Sequence, residues 1–176
     1  MASDRVSLKG KLRAMRLAIA WFCLLCLPAI CAAKNNCPWI NEATAGGLLN
    51  GDAVGEFTEA AAGAQAVCIF TQKGVDITRT LRVTVEISSN VASRMATLAA
   101  PCGTSAAPVR AIGNEAVVCD ADDRKAQVGE LMVGRVRDQV FTIKIGSSLK
   151  NDPILTRGTL RLRIYMAAEQ IAGNLY

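Results

Sequence analysis

The sequence predicts an α+β domain, an antiparallel sheet of about six strands packed by a long C-terminal helix and two shorter helices. Three stretches carry that expectation. In "TLRVTVEIS", Leu81, Val83, Val85 and Ile87 alternate with Arg82, Thr84 and Glu86, a period of two that gives a strand one apolar and one wet face. In "GELMVGRV" and "VFTIKI", two strand-like runs flank the polar Arg137-Asp138-Gln139, which is a hairpin signal. In "RGTLRLRIYMAAEQIAGNLY", Leu160, Ile164, Ala167, Ala168, Ile171 and Leu175 recur at helical spacing and form one stripe to bury against the sheet. Leu162, Tyr165 and Met166 are expected to widen that buried face.

The chain of 176 residues opens on five basic side chains (Arg5, Lys9, Lys11, Arg13, Arg16) against one acid, Asp4, followed by an unbroken apolar run from Leu17 to Ala33. A positive segment, an apolar segment and then small residues make the pattern of a secretory signal peptide. Cys31-Ala32-Ala33 approximates the small-residue cleavage signal, so residues 1–33 are expected to be signal peptide, cut between Ala33 and Lys34, with 34–176 as a single domain. The competing readings are a retained anchor over 17–33 and lipidation at Cys31. A membrane helix needs about 20 apolar residues, whereas this run has seventeen with Pro28 inside it. The residues before Cys23, Cys26 and Cys31 are Phe22, Leu25 and Ile30, larger than a lipid-attachment motif prefers.

Removing five bases and one acid lowers the net charge from +5 to +1. The basic balance therefore belongs to the leader, and no nucleic-acid partner is expected. The membrane is met only through the signal segment. Four cysteines remain, Cys37, Cys68, Cys102 and Cys119. An even number in an exported chain implies two disulfides, in one of three pairings, of which the sequence-local Cys37 with Cys68 and Cys102 with Cys119 are favoured. A structural zinc site is disfavoured because the mature part has no C-x-x-C pair.

After Cys37-Pro38-Trp39, "INEATAGGLLNG" reads as a short helix. Asn41 can cap its start, Glu42 suits the positive end and Asn50-Gly51 supplies a left-handed stop. Gly46 and Gly47 weaken it by about 1 kcal/mol each, so packing must hold it, and the pair suggests a close backbone approach rather than a phosphate cradle. Trp39 reads as a buried anchor for this helix more than as an exposed stacking ring. The runs "AVGEF" and "AVCIFTQ" follow as short strands around the small-residue stretch 58–65. Residues 89–99 read as a second helix ended by Pro101, and a loop containing Cys102 and Pro108 leads to "EAVVCDADD". The order is α-β-β-β-α-β-β-β-α.

Chemistry is sparse. The chain has no histidine, which removes the usual general base and the commonest metal ligand together. No nucleophile-elbow motif is present. "DADD" resembles the start of a calcium loop, but Lys125 stands at the sixth position and Leu131 at the twelfth, where glycine and glutamate are needed, so a solvated turn is expected there. Glu56, Glu86, Glu115 and Glu130 lie in or beside strands and could supply an acid/base pair, though the sequence cannot choose one. No catalytic residue, metal or cofactor is expected. A membrane-surface role for the terminal helix is a minor alternative, since Arg157, Arg161 and Arg163 cluster at one end only.

The combination of Cys37-Pro-Trp-Ile-Asn, Cys68 in a strand, "AIGNEAVVC" (111–119) and "GRVRDQVFTIKI" before a terminal helix resembles a family of small secreted or lipid-anchored bacterial envelope domains of unknown function, common in actinobacteria. The second cysteine pair, Cys102 and Cys119, departs from that family. The resemblance implies a compact α+β fold of the PsbP type and no activity. The functional expectation is a secreted or periplasmic binding module for an envelope protein or small ligand. The alternatives are a carboxylate-dependent envelope hydrolase and an inhibitor that presents a disulfide-braced loop from 102 to 119.

Overall fold

A computed structural model describes residues 36–60, 64–121 and 126–176; the expected cleavage at Ala33-Lys34 and the alternatives at Cys31 lie outside the described residues. The chain runs through α1 (Glu42–Leu49), β1 (Val54–Glu59), β2 (Gln65–Lys73), β3 (Thr78–Ile87) and α2 (Val91–Ala99). A 3-10 segment (Ala100–Ser105) then leads into β4 (Ala107–Val109), β5 (Glu115–Asp120), β6 (Val128–Val136), β7 (Gln139–Ser147) and α3 (Arg157–Leu175). The α+β class holds, with seven strands rather than six. The added strand is β4, three residues of the segment expected to be loop, which pair with β5 from Ala107↔Val118 to Val109↔Ala116. Pro108 at its centre suits an edge, where a missing N–H costs no ladder bond.

Every pairing is antiparallel, in the order β1-β2-β3-β7-β6-β5-β4. Two meanders thus meet at β3 and β7. To pass from the end of β3 to β4 at the far edge, the chain must cross the sheet, and α2 makes that crossing over β6 and β7. On the opposite face α3 lies along β6 and β7 while α1 covers β2 and β3.

Local signals set the helix ends. Asn41 Oδ1 accepts from Thr44 N at 2.8 Å, Asn90 Oδ1 from Ser93 N at 3.1 Å and Thr156 Oγ1 from Thr159 N at 3.4 Å, each satisfying a first-turn amide that has no helical partner. Helix α1 stops where Asn50 turns left-handed, at φ 61°, and Gly51 N donates to Gly46 O at 3.0 Å. A Cβ on Gly46 would sit 2.7 Å from Gly51 O, so the close approach that the glycine pair suggests is real at Gly46. Helix α2 ends at Ala99, two residues before Pro101 as expected, and the chain continues into the 3-10 segment that carries Pro101 near its start.

The main core lies between the sheet and the α1/α3 layer. Phe70, Leu81, Val83, Phe141, Ile143, Ile145, Leu160, Ile164 and Ile171 are all essentially inaccessible. The predicted α3 stripe is buried at all six positions. The expected widening holds at Tyr165, which is half-buried against the core, and is corrected at Leu162 and Met166, which are 63% and 52% exposed because the sheet meets only one side of the helix. A smaller cluster, Met95, Val133 and Val140, fills the space under α2. Two disulfides brace the fold, Cys37–Cys68 and Cys102–Cys119. Trp39 is half-buried against the core, and its carbonyl accepts from Asn174 Nδ2 at 2.8 Å.

Candidate functional site

The strand register decides which side chains share the face away from α1 and α3. One rung across the sheet runs Glu56–Ile69–Arg82–Lys144–Leu131–Cys119, and the next runs Thr58–Val67–Thr84–Thr142–Val133–Val117. Helix α2 covers the β6/β7 part of these rungs, with Val133 buried and Val117 and Leu131 packed beside it. Over β1, β2 and the Thr80–Thr84 part of β3, among the described residues, the face is left open, while at the end of β3 Arg94 of α2 covers Glu86. Val67, Ile69, Thr71, Thr80 and Thr84 are partly exposed and Arg82 is exposed, whereas Cys68, Phe70, Leu81 and Val83 on the other face are buried. Arg82 and Lys144 stand directly opposite each other on β3 and β7, a like-charge pairing that disfavours the sheet unless a counter-charge is near. At the β1 end of the face a recess of about 340 Å³ is lined by Asp52, Val54, Glu56, Thr71 and Lys73.

The four glutamates separate clearly. Glu56 lies on the open face. Glu115 pairs with Arg135 at 3.2 Å across the β5/β6 ladder. Glu86, expected to be wet, is buried, because Arg94 of α2 grips both its oxygens, Nη2 to Oε2 at 2.9 Å and Nε to Oε1. Glu130 faces the α3 side and is 1% exposed, opposite Asp120 in the β5/β6 register. No two of the four glutamates stand opposite each other in the register; the carboxylate beside Glu130 is Asp120, which the sequence placed in a solvated turn. Arg161 Nε approaches Glu130 Oε2 at 3.1 Å and Asp120 Oδ1 at 3.6 Å with Nη2, and Arg157 Nη1 reaches Asp120 Oδ2 at 3.3 Å. Ionic attraction reaches Glu130 Oε2, yet that oxygen receives no hydrogen bond. Burial pushes the Glu130 carboxyl up to about 7, with Arg161 opposing and Asp120 adding to the rise.

A second buried ionic group lies on the α1/α3 side. Arg79 forks onto Asp152, Nε to Oδ2 at 2.7 Å and Nη2 to Oδ1 at 2.9 Å. Asp152 Oδ1 also accepts from Ile154 N at 2.8 Å and Leu155 N at 3.1 Å. Burial acts against ionisation here, but the hydrogen bonds from Arg79, Ile154, Ser147 and Leu155 win and hold Asp152 well below the usual carboxylate range. Arg163 donates to Leu48 O at the end of α1. All three arginines at the start of α3 therefore have partners within the protein, which accounts for their clustering at one end without a membrane.

The segment from Cys102 to Cys119 is anchored to the sheet at several points, while residues 103–106, 108, 110 and 111 are exposed. Cys102 and Ile112 are buried, and β4 lies on β5. Of "DADD", Asp120 is engaged by the α3 arginines, while Asp122 and Asp123 lie outside the described residues. Among the described residues no cluster of three or more His, Cys, Asp or Glu side chains is placed to hold a metal, and no helix is long and apolar enough to cross a membrane.

The fold and its bridges define a class, a disulfide-braced α+β domain with a seven-stranded antiparallel sheet covered on one face and half-covered on the other. No family model, curated protein or solved structure matches the chain.

Proposed function

We propose that the chain is an exported binding module of the bacterial envelope, acting without catalysis and engaging a protein partner over the open β1-β2-β3 face. The observation that supports it is the strip of partly exposed Val67 and Ile69 and exposed Arg82, flanked by threonines on the sheet. Small-molecule sites are concave, whereas the Val67, Ile69 and Arg82 strip lies outside the recess at the β1 end of the face, which favours a protein surface for the strip. The exposed Arg82 guanidinium at the centre of the strip favours an acidic group on that surface. Leader-like residues 1–33 and the paired cysteines are the support for export.

The test is capture from the native envelope with wild-type protein and with Ile69→Asp and Arg82→Glu, each variant first checked for an unchanged fold by circular dichroism. A protein retained by the wild type and lost by both variants is expected, confirmed by direct binding of the purified pair. Equal retention by all three refutes the open face as the binding surface.

A carboxylate-dependent hydrolase remains the second reading, because Glu130 and Asp120 are adjacent and Glu130 holds a proton near neutrality. Its weakness is access, since Glu130 is covered by Arg157 and Arg161, and a substrate would have to displace them. For an inhibitor a protruding loop would speak; in 102–119 the strand Ala107–Val109 pairs with β5 and Cys102, Val109 and Ile112 are buried.

A further inference from the structure

We propose that Glu130 and Asp120 form a proton-binding pair that latches the first two turns of α3 to the sheet, closed with one proton bound and loosened when that proton is lost to solvent. This device lies on the opposite side of the sheet from the open face and is independent of the binding reading.

The geometry sets the conditions. Glu130 sits on β6 near the middle of the sheet, under α3, with Oε2 buried and receiving no hydrogen bond. The groups around it are Asp120 from β5 and Arg157 and Arg161 from α3. On β7, Ile143 and Ile145 share its face and carry no charge, as do Val128 and Met132 on β6 itself. In the segment leading to α3, Asp152 is taken by Arg79. Residues 122–125, with Asp122, Asp123, Arg124 and Lys125, lie outside the described residues.

With a proton on Glu130, its O–H can donate to the Asp120 carboxylate, which stays anionic at ion-pair distance from Arg157 and Arg161. The buried side chain is then neutral and the arginines retain an anionic partner. When the proton leaves, two neighbouring carboxylates carry charge and one buried oxygen lacks a donor. Burying a charge that is not fully hydrogen-bonded is costly. Water can meet that need only by entering beneath α3, where Arg157, which also donates to Gly129 O at 3.3 Å, and Arg161 form the roof. The position of Glu130's titration, raised by its burial to about 7, puts the change within the range an exported protein meets.

The experiment uses full-length protein and two readouts. Carboxyl carbon NMR follows Glu130 directly, and amide hydrogen exchange follows residues 157–164 at pH 5.5 and 8.5, corrected for the intrinsic exchange rate. Expected are a Glu130 midpoint near 7 and a loss of protection in α3 of at least about tenfold at the higher pH, as one unit of differential proton affinity corresponds to tenfold. In Glu130→Gln the protection should be independent of pH. A midpoint in the ordinary carboxylate range overturns the proposal, as does a midpoint near 7 with unchanged protection, or the same loss in Glu130→Gln. Should Glu130→Gln fail to fold, the two wild-type readouts decide.

Discussion

Arg79 and Asp152 show how one residue pair can tie distant parts of the chain. Arg79 opens β3, Asp152 precedes α3, and the guanidinium also donates to Gln72 Oε1 at 3.2 Å, so the pair joins two strands and the approach to a helix. Removing one partner strands the other in a dry site, and such losses cost about 3–5 kcal/mol. Asp152→Asn should therefore lower unfolding stability at pH 7 by about that much, read from urea melts. The sign with pH follows from the depressed carboxyl. Its stabilisation is complete above the ordinary carboxylate value and is lost as pH falls through the lower folded one, so the difference between wild type and Asp152→Asn should shrink in acid. A difference that stays constant down to pH 2 would assign the loss to shape rather than charge. Nothing in the sequence singles out this pair. Arg79 stands just before a strand whose alternation marks Leu81 onward, and Asp152 sits in a polar loop 73 residues later.

At the scale of elements, α3 decides most. Its six-residue stripe was legible because burial against a flat sheet imposes the 3.6-residue period, and the structure buries every member. Leu162 and Met166 were misassigned because hydrophobicity alone does not say where the sheet ends; roughly half of any protein surface is apolar anyway. Replacing both with Gln should change stability by less than about 0.5 kcal/mol, whereas Ile164→Ala should cost about 2–5 kcal/mol. Thermal melts of the two variants side by side check this, and a large loss in the first would mean that the outer face of α3 is covered in solution. In β3 the alternation held for Leu81, Val83 and Val85 but failed at its end. Ile87 is 59% exposed where the strand leaves the sheet, and Glu86 is buried because α2 brings Arg94 to it.

For the whole molecule, the bridges and the β3/β7 junction fix the architecture. Cys37–Cys68 ties the segment before α1 to β2 and Cys102–Cys119 ties the 3-10 segment to β5, closing spans of 31 and 17 residues. By chain entropy these contribute about 3.5 and 3 kcal/mol. Paired Cys→Ala replacement should lower stability by roughly those amounts, with the larger loss for Cys37 and Cys68, measured by denaturant titration. Equal or reversed losses would show that strain or residual unfolded structure outweighs loop length. The local pairing was readable because each half of the chain carries its own two cysteines. The seventh strand was not, since three residues around a proline carry no periodicity and acquire strand geometry only by lying on β5.

The sequence by itself determined what depends on neighbours along the chain. Asn41 and Asn50 bound the first helix, the Arg137-Asp138 turn joins two strands and the α3 stripe has one period, because capping, turn geometry and periodic burial act over a few residues. Tertiary structure alone decided what depends on register across the sheet. It set Glu130 against Asp120, Arg82 against Lys144 and Arg79 against Asp152, and it left one half-face open, because antiparallel pairing and the crossing of α2 bring together residues whose separation along the chain no local pattern records.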